Sequence, residues 1–144
     1  MSFWDSSALV PLCLNQPASP AVGEIYRSEG TPVVWWAALV ECRSAFERLR
    51  RDGDLTLPEK QQAAALLAEM AASWREVLPG TAVRDRAVRV LAVHPLRAAE
   101  ALQLASALVW AGEEPSGRKF VCLDQRLREC AQLEGFTVLP ASVA

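Results

Sequence analysis

Lys119-Phe120-Val121-Cys122-Leu123-Asp124, followed by Gln125-Arg126-Leu127, reads as a short apolar strand that ends in a carboxylate and turns directly into a helix. The helix runs from Gln125 to Leu133 and is closed by Gly135, and Phe136-Thr137-Val138-Leu139 then gives a further strand before Pro140. The same order recurs at the other end of the chain. Ser2 to Asp5 is a strand ending in an acid, and Ser6-Ser7 opens an apolar helix through Leu14. Pro32-Val33-Val34-Trp35-Trp36 is a third case, a β-branched and aromatic strand followed by a helix from Ala37 to Arg51. Apolar strands separated by helices predict an α/β fold, with a mainly parallel sheet of about four to five strands flanked by helices on both faces. Ligands of such sheets bind beyond the carboxyl ends of the strands, where Asp5 and Asp124 lie.

The rest of the chain is largely helical. Pro17 to Glu29 is a helical stretch broken by Gly30, and Asp52-Gly53-Asp54 is a turn. Thr56-Leu57-Pro58-Glu59 is a capping box that starts a long alanine-rich helix, expected to run until Pro79-Gly80. Thr81 to Val93 and Leu96 to Trp110 are further helices, and Gly112 to Gly117 is a polar loop. With 144 residues and no linker, repeat or low-complexity tract, residues 1–144 are expected to form one domain. Its 51% hydrophobic content argues against extensive disorder.

No apolar run reaches the ~18 residues needed to span a bilayer. The opening Met1-Ser2-Phe3-Trp4-Asp5 lacks the pattern of a secretory signal. Cys13, Cys42, Cys122 and Cys130 are dispersed and form no CxxC pair, so they read as buried thiols of a cytoplasmic protein. His94 stands alone and cannot build a zinc cluster with them. A net charge of −2 excludes a broadly basic nucleic-acid binder.

Four carboxylates stand out by context. Asp5 and Asp124 follow strands, where capping of the next helix is the ordinary structural explanation. Glu41 has Ala37, Ala38, Ser44 and Ala45 as its helical neighbours, which leave room around it. Glu100 lies in a helix rich in alanine and leucine, either as part of a solvent-facing polar stripe with Arg97, Gln103 and Ser106 or as a functional acid. Carboxylates converging at one sheet edge repel each other, and hard Mg²⁺ or Mn²⁺ is the usual remedy in an all-oxygen site.

Four stretches now resemble a known family: Phe3-Trp4-Asp5-Ser6-Ser7-Ala8-Leu9-Val10; Ala38-Leu39-Val40-Glu41-Cys42-Arg43-Ser44-Ala45; His94-Pro95-Leu96-Arg97-Ala98-Ala99-Glu100-Ala101-Leu102-Gln103-Leu104-Ala105; and Phe120-Val121-Cys122-Leu123-Asp124-Gln125-Arg126-Leu127. In order and spacing they are similar to PIN-domain ribonucleases, specifically the VapC-like toxins of toxin–antitoxin pairs. The resemblance covers nearly the whole chain. It implies a metal-dependent endoribonuclease in which Asp5, Glu41, Glu100 and Asp124 bind Mg²⁺ or Mn²⁺ and carry catalysis. It also implies RNA as substrate, a cognate antitoxin as partner and a homodimer. Two positions depart from the family pattern: Glu100 replaces the usual aspartate, and Cys122 replaces a common serine or threonine. They keep open an alternative, a PIN-like module that binds RNA or protein with a weakened metal site and little cleavage.

Setting the four acids aside leaves thirteen acidic against fifteen basic residues, thirteen of the latter arginines. Arg43, Arg48, Arg50 and Arg51 fall on the Glu41 helix or its end, and Arg84, Arg86 and Arg89 on another. Guanidinium suits phosphate, although intrahelical pairs such as Glu47 with Arg51 explain many of these charges. Trp4 and Trp35 are expected in the core, with Trp36 pointing the other way and His94 structural. Other small α/β classes fit less well. Asp5 is followed by Ser6-Ser7 rather than the second acid of a receiver domain or a haloacid-dehalogenase-like phosphatase, and no GxG occurs.

Overall fold

A computed structural model describes residues 1–143. Five short strands form one sheet: β1 (Ser2–Trp4), β2 (Pro32–Trp35), β3 (Arg75–Val77), β4 (Lys119–Val121) and β5 (Thr137–Leu139). Their order is β3-β2-β1-β4-β5, and every pairing is parallel. The seven helices of the described residues are α1 (Ser6–Cys13), α2 (Ser19–Glu29), α3 (Ala38–Arg51), α4 (Leu57–Ala71), α5 (Thr81–Val93), α6 (Ala98–Trp110) and α7 (Gln125–Glu134).

Side-chain alternation along the strands divides the apolar residues between the two faces. Phe3, Val33 and Phe120 share one register row, and Trp4, Val34 and Val121 the next. The first row packs beneath α5, α6 and α7, with Leu104, Leu108 and Leu127 in the same cluster. The second packs beneath α1 to α4, with Leu9, Val22, Phe46 and Leu67. Both faces are therefore covered, as an all-parallel sheet requires.

The alanine-rich helix is shorter than its sequence suggests. The Thr56 capping box forms as expected, but α4 stops at Ala71, and Arg75-Glu76-Val77 pairs with β2 as an edge strand. Arg75 and Glu76 are exposed, so this strand carries no apolar alternation to reveal it. Trp74 anchors the turn before it, buried to 7% exposure with its Nε1 donating to Glu76.

Charge pairing also departs from the sequence reading in one place. Glu47 bonds Lys60 of α4 at 2.8 Å, not Arg51 of its own helix. The four cysteines are free and buried. His94 is buried against Glu134, and Arg86 pairs with Glu113 and Glu134, which makes both structural. Among the described residues no helix is long and apolar enough to cross a membrane.

Candidate active site

The chain builds β1, β2 and β3 outward in one direction, then returns to the other side of β1 to add β4 and β5. The crevice between the ends of β1 and β4 is thus the point where strand order reverses, the place where parallel α/β sheets bind ligands. Asp5 follows β1 and its N–H donates to Val121 of β4 at 3.0 Å. Asp124 follows β4 by three residues.

An open cleft of about 480 Å³ lies here, and Asp5, Glu41, Glu100 and Asp124 all line it. They arrive from β1, α3, α6 and the end of β4, so segments far apart in sequence meet at one wall. Ser7, Arg48 and Gln103 line the same cleft. A second, adjoining depression shares Glu100 and Asp124 and adds Arg97 and Arg126.

Both aspartates also cap helices. Oδ2 of Asp5 accepts from the Ser7 N–H at 3.1 Å and from the Ser7 hydroxyl, and Oδ1 of Asp124 accepts from the Leu127 N–H at 2.9 Å. Capping uses one oxygen of each carboxylate, and the second oxygen makes no hydrogen bond among the described residues. The structural and functional readings of these acids are therefore compatible. Ser7 does more than open α1: its Oγ accepts from the Leu123 N–H at 3.0 Å, tying the exit of β1 to that of β4. Arg128, 4% exposed, braces the same edge by donating to the carbonyls of Cys122 and Pro140 at 2.7 Å each.

Glu41 sits in the first turn of α3 and accepts from Nε2 of Gln103. Gln103 and Ser106 are 2% and 0% exposed, so this half of the polar stripe is buried, whereas Arg97 is exposed and Glu100 partly so. Oε1 of Gln103 is buried without a hydrogen-bond partner among the described residues, a situation that costs about 1–3 kcal/mol. Glu100 reaches back to accept from the Arg97 N–H at 3.0 Å, a contact that occupies one of its oxygens. Cys122 is buried 3.6 Å from Oδ2 of Asp5.

The electrostatics are those of crowded acids. Burial pushes the Asp5 carboxyl above its ordinary range; the Ser7 and Cys122 hydrogen bonds oppose the rise and Asp124 adds to it. Glu41 is raised as well, by burial first and by the Asp5 charge, against the Gln103 and Ser6 hydrogen bonds. Burial raises the Cys122 thiol, so it is no thiolate nucleophile. Among the described residues no three His, Cys, Asp or Glu side chains are gathered as a ready metal cage. The donor set nevertheless suits a hard divalent cation. It consists of carboxylates whose mutual repulsion a cation relieves, together with an unpartnered amide oxygen.

A five-stranded parallel sheet in this order, covered by helices on both faces, is a PIN-like α/β fold. The crystal structure of Mycobacterium tuberculosis VapC20, described as a sarcin–ricin loop cleaving toxin, has this fold. It matches with a TM-score of 0.65 at 15% identity, covering 95% of this chain and 97% of that one. In sequence, the chain is 30% identical over 141 residues to Ribonuclease VapC45 of M. tuberculosis strain CDC 1551 / Oshkosh, covering 98% of this chain and 96% of that protein. The same figures hold for Ribonuclease VapC49 of strain ATCC 25618 / H37Rv. No protein-family model matches the chain. The chain belongs to the VapC ribonuclease family. Membership among ribonucleases favours the enzyme over the non-cleaving binding module.

Sequence reasoning missed Ser7, Gln103 and Arg128 as site-building residues. A glutamine three positions after Glu100 in an otherwise apolar helix was the available signal for Gln103. The partners of Ser7 and Arg128 leave no comparable trace.

Proposed function

We propose that this chain is a Mg²⁺- or Mn²⁺-dependent endoribonuclease toxin, with Asp5, Glu41, Glu100 and Asp124 as its metal-holding and catalytic acids and a cognate antitoxin as its inhibitor. The observation that carries this reading is the convergence of the four acids on one cleft at the strand-order reversal. Asp5 and Asp124 would hold the cation directly, since strand ends and capping bonds fix them. Glu41 and Glu100 would hold it or its water. A bound divalent cation supplies an activated water at neutral pH and charge stabilisation for the leaving oxygen.

The chain's own residues account for the rest. Arg48 lines the cleft and makes no ion pair among the described residues, so its guanidinium is available to an RNA phosphate. Arg97 and Arg126 flank the adjoining depression and offer the same chemistry on the other side of Glu100 and Asp124. An antitoxin would inhibit by covering the acidic cleft, and arginine is the side chain best suited to pair with its carboxylates. A homodimer and a cytoplasmic site of action complete the reading, and sedimentation equilibrium of the purified chain tests the dimer.

The deciding experiment is RNA cleavage by purified protein. Activity should depend on added Mg²⁺ or Mn²⁺, vanish with EDTA, and fall at least 10²-fold in both Asp5→Asn and Asp124→Asn while circular dichroism stays unchanged. Wild-type rates in both variants would remove these acids from the mechanism. Arg48→Glu should raise KM for RNA more than it lowers kcat; an unchanged KM would place the RNA elsewhere.

A further inference from the structure

Gln103 is an unexpected residue at this site. It stands on α6 three positions after Glu100, on the same side of the helix. It is 2% exposed and yet lines the cleft with the four acids. Its Nε2 donates to Oε1 of Glu41, which fixes the amide, because the flipped orientation would set two acceptor oxygens against each other. The remaining oxygen, Oε1, is buried with no partner among the described residues. Buried acceptors are nearly always satisfied, so this one calls for a donor or a cation from outside the chain.

We propose that Gln103 is a positioning residue for the divalent cation: Nε2 orients the Glu41 carboxylate, and Oε1 is the acceptor for the cation or for water that it carries. The inference rests on the metal-dependent reading given above and deepens it. Amide oxygens are ordinary partners of hard cations, and a hydrated cation presents donors only. Groups that orient a metal-binding carboxylate typically change metal affinity by 10- to 100-fold when removed.

The test is Mn²⁺ binding to the purified full chain without RNA, followed by titration calorimetry. Gln103→Met keeps the length of the side chain and removes both polar atoms. It should weaken Mn²⁺ binding about tenfold or more with an unchanged circular dichroism spectrum. Gln103→Glu keeps an oxygen at the same place and should bind Mn²⁺ more tightly than Gln103→Met. Wild-type affinity in Gln103→Met overturns the proposal, and so does a Gln103→Glu no tighter than Gln103→Met. A normal Mn²⁺ affinity in Gln103→Met combined with a raised KM for RNA overturns it in favour of an RNA hydroxyl as the missing donor. If Gln103→Met does not fold, Gln103→Leu takes its place with the same expected and overturning results. Failure of the underlying metal reading looks different: the wild type itself does not bind Mn²⁺, or the Asp5→Asn/Asp124→Asn double variant binds it equally well.

Discussion

Asp5 and Glu41 keep their protons more strongly in the folded chain than their ordinary values of 3.8 and 4.5 would suggest, chiefly because they are buried. Without metal, the stability they permit is fully present below those ordinary values. It is lost as pH rises through the raised ones, because the folded state binds the extra protons. In EDTA, the urea midpoint should therefore fall on going from about pH 4 toward neutrality, and Asp5→Asn should flatten the fall. A midpoint that rises over this range in the wild type and is unaltered by the variant would contradict the assignment. Metal reverses the sense: Mn²⁺ at ~100 times its dissociation constant should add about 2.7 kcal/mol near neutral pH, and the Asp5→Asn/Asp124→Asn double variant should lose that gain. Glu100 makes a separate case. Its longer arm lets one oxygen accept from the Arg97 N–H, a bond that opens α6. Glu100→Gln keeps an acceptor for that bond and should reduce cleavage less than Asp5→Asn does. Glu100→Asp should retain cleavage, and rates as low as those of Asp5→Asn would show a site built around the longer acid. The four acids were legible because a carboxylate at a strand end or in an apolar helix is conspicuous in one dimension. Ser7 and Gln103 were not, because their partners Leu123 and Glu41 lie 116 and 62 residues away.

Among the elements, α4 shows how local signals fix one end of a helix and not the other. Thr56 accepts from the Glu59 N–H at 3.2 Å and Glu59 accepts from the Thr56 N–H at 2.9 Å, the two halves of the box read from the sequence. Thr56→Ala should lower stability by about 1 kcal/mol and leave RNA cleavage per folded molecule unchanged, as measured by urea unfolding alongside single-turnover cleavage. The other end is set by tertiary pairing. Helix-favouring residues continue up to Ala71-Ala72, but the main chain beyond them is needed at the β2 edge, where Trp36 also donates to the Val77 carbonyl at 3.0 Å. Hydrogen bonding to a neighbouring strand leaves no signature in a three-residue exposed segment, so β3 was invisible while β1, β2, β4 and β5 were readable from their apolar runs. Trp35 and Trp36 follow their expected opposition, at 6% and 50% exposure.

Across the whole molecule, two apolar layers clamp one thin sheet, and the central strands serve both. Phe120 is wholly buried and packs against Phe3 and Phe136 at ring-centroid distances of 5.4 and 5.5 Å. Phe120→Ala should destabilise the fold by about 3–5 kcal/mol, and cleavage should be lost with the folded population rather than through chemistry. Denaturation curves compared with specific activity separate the two. The strand order has a consequence for biosynthesis. The earliest strand, β1, is central, and one of its two neighbours is β4, made more than a hundred residues later. Chains emerge from the ribosome N-terminus first, so Asp5 and Glu41 leave it long before Asp124 is synthesised. Until then β1 has an open edge and the cleft lacks a wall. A product cut short before β4 lacks Asp124 and one wall of the cleft. The four acids can share one cleft only after β4 has been made, so the cleft is among the last features of these residues to be completed during synthesis.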